Sequence, residues 1–244
     1  MTKNLLAEIQ ADLDKQADIE KARVYQRFFK TGKGEYGEGD KFIGLTVPQL
    51  RAIAKKYSTL PLSHVKKLLQ NKIHEYRLTA LLILVDQYQK SDDSGQKIIC
   101  DYYLKHIRYV NNWDLVDLSA DKIVGSYLLE KGKKILYKLT KSDSVWERRI
   151  AIIATFNFIK NNQFKDALKI SEVLLNDKHD LIHKAIGWML REIGKRDQKV
   201  LESFLQKHRQ IMPRSMLRYA IERFDKKKRK FYLKRNSPIC QTLF

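Results

Sequence analysis

Two residues on one short stretch, Asn111-Asn112-Trp113-Asp114-Leu115-Val116-Asp117, are the first in this chain that could do chemistry. Trp113 and Asp117 are four apart, so on a helix they share a face, with their Cβ atoms roughly 5–6 Å apart. One side chain offers an apolar π surface. The other is a carboxylate, able to accept a proton or to set negative charge against a forming cation. The ordinary reading of such a pair is a core indole and a solvated or capping acid, since helical aromatics mostly face cores.

Other constellations are weaker. His179 and His183 have the i,i+4 spacing of a helical metal pair, but no H-E-x-x-H surrounds them and no third ligand is evident. No metal and no cofactor is expected. Gly32-Lys33-Gly34-Glu35-Tyr36-Gly37 matches G-x-G-x-x-G by letter only. No strand precedes it, and Glu35, Glu38 and Asp40 would repel a pyrophosphate. It is expected to be an extended surface loop. Cys100 and Cys240 are far apart and form no metal or redox spacing, which fits a reducing cytoplasm. No nucleophile elbow or P-loop is present.

Composition turns attention to the partner. The 48 Lys and Arg exceed the 28 Asp and Glu by 20. That excess favours a polyanion, nucleic acid first and an anionic membrane second, over a merely soluble basic protein. A carboxylate beside an indole is an odd thing to turn toward such a partner, and the pair is read as held against DNA. Residues 226–235 carry seven basic side chains: Lys226, Lys227, Lys228, Arg229, Lys230, Lys234 and Arg235. They read as a basic tail over 226–244 that adds phosphate contacts. No apolar run approaches the ~20 residues of a membrane span, so a soluble, cytoplasmic protein is expected.

The elements that must position these residues are helices. Only four prolines occur, and Leu, Ile, Lys and Ala are abundant. Helical spacing predicts segments over 3–15, 18–30, 47–57, 61–71, 73–90, 95–107, 113–129, 131–140, 144–161, 164–175, 179–195, 198–208 and 213–224. Anchored on Arg77, Trp113, Arg149, Lys184 and Arg218, similar helix starts recur at steps of 36, 36, 35 and 34 residues. A two-helix unit recurring at that period predicts an all-α α-solenoid, one repeat domain over 1–244, curved and with a concave basic surface. Equivalent positions would then place Arg77, Arg149, Lys184 and Arg218 in a row, with Trp113 and Trp188 among them.

Three runs carry a family resemblance: Asn112-Trp113-Asp114-Leu115-Val116-Asp117, Trp146-Glu147-Arg148-Arg149-Ile150-Ala151-Ile152, and His183-Lys184-Ala185-Ile186-Gly187-Trp188-Met189-Leu190-Arg191-Glu192. With Phe42-Ile43-Gly44-Leu45 they resemble the AlkD-like DNA alkylation repair family, HEAT-like-repeat DNA glycosylases, over nearly the whole chain. By that resemblance, Trp113, Asp117 and Trp188 match catalytic positions. Arg149 matches a DNA-contacting arginine; the register W-x-x-R-x-A-I favours it over the adjacent Arg148, which stays a second candidate. Phe28, chosen over Tyr25, matches an N-terminal aromatic of the site. Lys184, Arg77, Arg218, Lys226, Lys227 and Arg229 complete the expected DNA-binding set. Where some members carry aromatics before the second indole, this chain has Asp180-Leu181, which bears on the range of lesions accepted.

The resemblance implies hydrolysis of the N-glycosidic bond of cationic N3- or N7-alkylated purines in double-stranded DNA. It also implies an enzyme without a deep pocket for a flipped base, and so a monofunctional one. Nothing in the sequence demands more than a monomer, and the protein is expected to be nucleoid-associated when bound to DNA. Two other readings stand beside it. One is a non-catalytic HEAT-repeat scaffold for DNA or structured RNA, since fold alone does not give function. The other is an adaptor for an acidic protein, against which the two indoles argue.

Overall fold

A computed structural model describes residues 5–234 of the 244-residue chain. Those residues form helices and no strand; Lys41 and Ile73 make an isolated bridge. The architecture is an α-solenoid of helical repeats. Where the sequence reads as one array, contacts gather into two compact units, Met1–Tyr127 and Leu128–Phe244.

The first unit holds α1 (Leu5–Asp14), α2 (Ile19–Phe28), α3 (Val47–Lys56), α4 (Leu62–Leu69), α5 (His74–Lys90), α6 (Asp93–Lys105), α7 (Trp113–Asp117) and the start of α8 (Ser126–Leu128). Its spine is α5, buried at every position from His74 to Val85, and packed against α3, α4 and α6. A helix whose middle, here residues 78–85, is apolar on all sides belongs inside. The start of α3 carries a reciprocal cap, Thr46 with Gln49, and Pro48 in its first turn costs no hydrogen bond.

Residues 32–35 lie exposed in turns, as the surface-loop expectation for the glycine motif had it, but the stretch that follows up to α3 is not free. Asp40, Phe42 and Leu45 are buried. The Glu75 carboxylate accepts from the backbone N–H groups of Ile43 and Gly44. Gly44 has φ +87°, and a Cβ there would fall 2.1 Å from the Asp18 carbonyl oxygen. Only glycine fits, so this segment is strapped between α2 and α5.

The helix expected over 113–129 is broken. After Asp117 the chain turns, runs through a π turn (Asp121–Gly125) and ends in the three residues of α8. Gly125 N–H bonds to the Ala120 carbonyl five residues back. Ser119 is the local cause: its hydroxyl takes the Leu115 carbonyl at 2.6 Å and meets the Tyr103 hydroxyl at 3.0 Å. Back-bonding of this kind bends helices, and π turns recur at functional sites.

The second unit holds α9 (Lys134–Leu139), α10 (Val145–Lys160), α11 (Lys165–Val173), α12 (Asp180–Gly194), α13 (Gln198–His208), α14 (Arg214–Ala220) and α15 (Lys226–Leu233). The helices α10, α12 and α14 pack in succession, with α9, α11 and α13 backing them. Their starts at 145, 180 and 214 keep the period read from sequence. The α12–α14 contact is close because of Gly187, whose Cβ would meet the Met216 carbonyl oxygen and the Tyr219 Cβ at 2.5 Å each.

The basic tail is corrected over its first half. Residues 226–233 form α15, capped by Asp225, whose carboxylate accepts from the Lys228 N–H at 2.8 Å. Tyr232 is buried, and the Arg209 guanidinium lies 4.9 Å from the Phe231 ring and 5.8 Å from that of Tyr232. Arg235 and Cys240 lie outside the described residues.

Candidate active site

In the first unit the site begins at Asn112. Its side-chain oxygen accepts from the Trp113 N–H at 2.8 Å and caps α7. The helix carries Trp113 first and Asp117 last, one turn apart on one face, both half-buried. Phe29 stacks on the Trp113 indole, with centroids 5.2 Å apart and planes within 14°. Phe28 meets the same indole edge-on at 6.0 Å and is 61% exposed. Sequence placed Phe28 at the site over Tyr25, and its ring does lie against Trp113. Tyr25 instead packs edge-on against Phe29 and Phe42. A cavity of ≈ 210 Å³ opens beside this stack, lined by Tyr25, Phe28, Phe29, Phe42 and Asp114 among others, but not by Trp113 or Asp117.

Beneath α7 lies a buried charge network. Asp40 takes the Arg77 guanidinium at 2.7 Å on one oxygen, and on the other the Asn112 amide at 3.1 Å and His74 Nδ1 at 3.3 Å. His74 Nε2 donates to Asp114 at 2.8 Å. Burial alone would lower the His74 pKa, but the Asp114 carboxylate, with help from Asp40, outweighs it and raises the pKa to about 9. The Asp40 carboxyl is likewise held below its ordinary value: burial pushes it up, and the bonds from His74, Arg77 and Asn112 more than reverse that.

This network corrects one expectation. Arg77 is 4% exposed, and its guanidinium is committed to Asp40 and to the Asn71 carbonyl. It is not displayed to a phosphate there, and withdrawing it would take from the buried Asp40 carboxylate one of its two cations.

In the second unit Trp188 is half-buried on α12. Its Nε1–H donates to Glu192 at 3.2 Å, one turn on, and its ring lies 5.6 Å from Phe156. Lys195 also binds Glu192 at 2.7 Å. Arg149 is buried and donates to the Leu181 carbonyl. Arg148 is tied to Asp177 at 2.6 Å and to the carbonyls of Ser142 and Asp143. Lys184 pairs with Asp180 at 2.7 Å, half-exposed, and Arg218 is exposed. The positions expected to form a row of surface cations therefore differ: Arg77 and Arg149 are buried, and Lys184 and Arg218 are not. Lys226, Lys227 and Arg229 are exposed on α15. His179 caps α12 by accepting from the Leu181 N–H, and His183 bonds to the Asp177 carbonyl. Both histidines thus serve the helix start.

Sequence reasoning missed Asp40, Phe29, Phe42, His74 and Asp114. Asp40 was read as a surface acid. The available signal was His74-Glu75 heading a helix that runs on as Leu78-Thr79-Ala80-Leu81-Leu82-Ile83-Leu84-Val85: charged residues at a position that must be buried call for buried partners.

A family model described as DNA alkylation repair enzyme matches residues 9–224. A solved structure described as a predicted DNA alkylation repair enzyme from Enterococcus faecalis superposes with a TM-score of 0.68 at 20% identity, covering 86% of this chain and 98% of that one. At that identity the likeness speaks for the fold. No curated protein matches the chain.

Proposed function

We propose, from the premise that this chain belongs to the DNA alkylation repair enzyme family, that it is a monofunctional DNA glycosylase acting on cationic N3- and N7-alkylated purines in duplex DNA. The observation that carries this reading is the half-buried Trp113–Asp117 pair on one turn of helix, whose start is capped by Asn112 and tied to buried charge.

Alkylation at N3 or N7 gives the purine a positive charge. When the bond from C1′ to the base nitrogen breaks, its electron pair moves to the base, which leaves neutral without being protonated. Positive charge then develops on the deoxyribose. The Asp117 carboxylate is assigned to face that charge, where fixed negative charge is worth most in the transition state. Water adds at C1′ and its proton passes to Asp117 or to solvent. Trp113 is assigned to the sugar, through its electron-rich face; Trp188 is given the same role on the family resemblance alone. The Glu192 bond to Nε1 limits the directions the Trp188 ring can take. Arg149 is assigned to the phosphate beside the lesion on the family resemblance alone. Lys184, Arg218, Lys226, Lys227 and Arg229 are assigned to the backbone, where contacts position DNA without reading its sequence. The product is an abasic site on an intact strand.

Flipping the base into a pocket is the general habit of glycosylases. Handling of the lesion at the duplex, without such a pocket, is assigned on the family resemblance. The test is release of methylated base from methylated duplex DNA by wild type and by Asp117→Asn. Wild type should release base, and the variant should be slower by at least ~10²-fold. Tight DNA binding by wild type with no release under any condition would favour the alternative, a helical-repeat scaffold without turnover.

A further inference from the structure

Trp113 sits between two residues tied to one buried imidazole. Asn112, before it, donates to Asp40 Oδ2 at 3.1 Å, and His74 Nδ1 donates to that same oxygen at 3.3 Å. Asp114, after it, accepts from His74 Nε2 at 2.8 Å. The other oxygen of Asp114 accepts from the Leu115 N–H at 2.8 Å, inside the first turn of α7. A second route runs through rings. Phe42 stacks on His74 at 4.6 Å, Phe29 on Phe42 at 4.8 Å, and Trp113 on Phe29 at 5.2 Å. One side chain thus reaches Trp113 twice, by the backbone that carries it and by the face of its indole.

We propose that His74 is a positioning residue for the reaction: its bridge between Asp40 and Asp114, and the ring column it begins, fix the direction of Trp113 and the turn of α7 that carries Asp117. The catalytic meaning of this rests on the glycosylase reading above; the positioning does not.

The residue type suits the task. An imidazolium has two N–H donors on opposite edges and a flat face between them. It can join two carboxylates and stack at once. Glutamine has its donors at one end and no ring. Lysine has no flat face, and arginine carries its donors and its plane at the end of a longer chain. His74 is 2% exposed, its small open part facing the cavity beside the aromatic stack. The charged groups facing it are Asp40 from the strapped segment, Asp114 from α7, and Arg77 and Glu75 from its own helix. With His74 charged, the two aspartates are balanced by His74 and Arg77, which a buried cluster requires. A displacement of about 1 Å at a reacting group can cost on the order of 10²-fold in rate, so a clamp on α7 has kinetic weight.

The test separates positioning from mere stability. Fluorotryptophan is incorporated, and the resonances of Trp113, Trp146 and Trp188 are assigned by substituting each with Phe. In His74→Gln the Trp113 resonance should shift or broaden while those of Trp146 and Trp188 stay. Single-turnover base release should fall roughly 10- to 100-fold, with the DNA dissociation constant within about twofold of wild type. Asp114→Asn weakens the same bridge without changing shape; it should give the same pattern in milder form and carries the test if His74→Gln does not fold. An unmoved Trp113 resonance in a folded variant overturns the proposal. So does a loss confined to DNA affinity, with the rate at saturation intact. If wild type releases no base, the glycosylase reading falls, and the Trp113 resonance still decides whether His74 sets the indole.

Discussion

At the scale of residues, the candidate chemistry is carried by side chains whose neighbours hold them still. Asp117 and Trp113 owe their common face to one turn of helix, and that turn is anchored by Asn112 and Asp114. The buried imidazole makes stability depend on pH in a stated window. The His74 pKa is raised from 6.5 to about 9, so its contribution to folding is fully present below pH 6.5, declines as pH rises, and is lost above about 9. Urea unfolding of wild type should therefore show a midpoint that falls between those limits. His74→Gln should be less stable at neutral pH and lack that slope. A wild-type midpoint that is flat from neutral pH to above 9 would mean that His74 is not charged in the folded protein.

At the scale of elements, close approach is decided by what is missing from a side chain. Gly187 lets α12 lie against α14, where an added Cβ would sit 2.5 Å from a backbone carbonyl and from the Tyr219 Cβ. Neither neighbour is a flexible chain end. Gly187→Ala gains about 1 kcal/mol of helix propensity, but overpacking costs about 1–3 kcal/mol. Separation of α12 from α14 places the result toward the upper end, so a lower denaturation midpoint is expected. An unchanged or higher midpoint would mean that the two helices are not held this close. The same helix carries Trp188 one position on, so DNA-bound activity should fall with stability. The α15 helix carries a run of exposed cations. Lys226, Lys227 and Arg229 stand outward, while Tyr232 and the Arg209 contact dock its other side. Truncation after Asp225 should weaken DNA binding and flatten the dependence of log affinity on log salt. Equal slopes for the two proteins would show that α15 makes no phosphate contacts.

At the scale of the molecule, net charge sets a long-range preference and the fold sets a local one. An excess of 20 positive charges attracts DNA whatever its sequence, so methylated and unmethylated duplex should bind with similar affinity and the same salt slope. Discrimination should appear in the rate of base release instead, because the cationic lesion differs in how readily its bond breaks. A large preference in equilibrium binding for methylated DNA would point to a pocket that reads the base. Periodicity alone determined the all-helical class, the repeat near 35 residues and most helix spans, since apolar spacing and caps are local properties of the chain. The letters around Trp113, Trp188 and Arg149 named the candidate residues by family resemblance. The tertiary structure decided which charges face inward. Arg77 and Arg149 look like surface cations in the sequence, and Asp40 like a surface acid, because nothing local distinguishes a solvated charge from a buried one. Burial is fixed by what packs against a residue from a distant part of the chain. Asp40, Arg77 and Asn112 meet across 72 positions only because the strapped segment folds under α7.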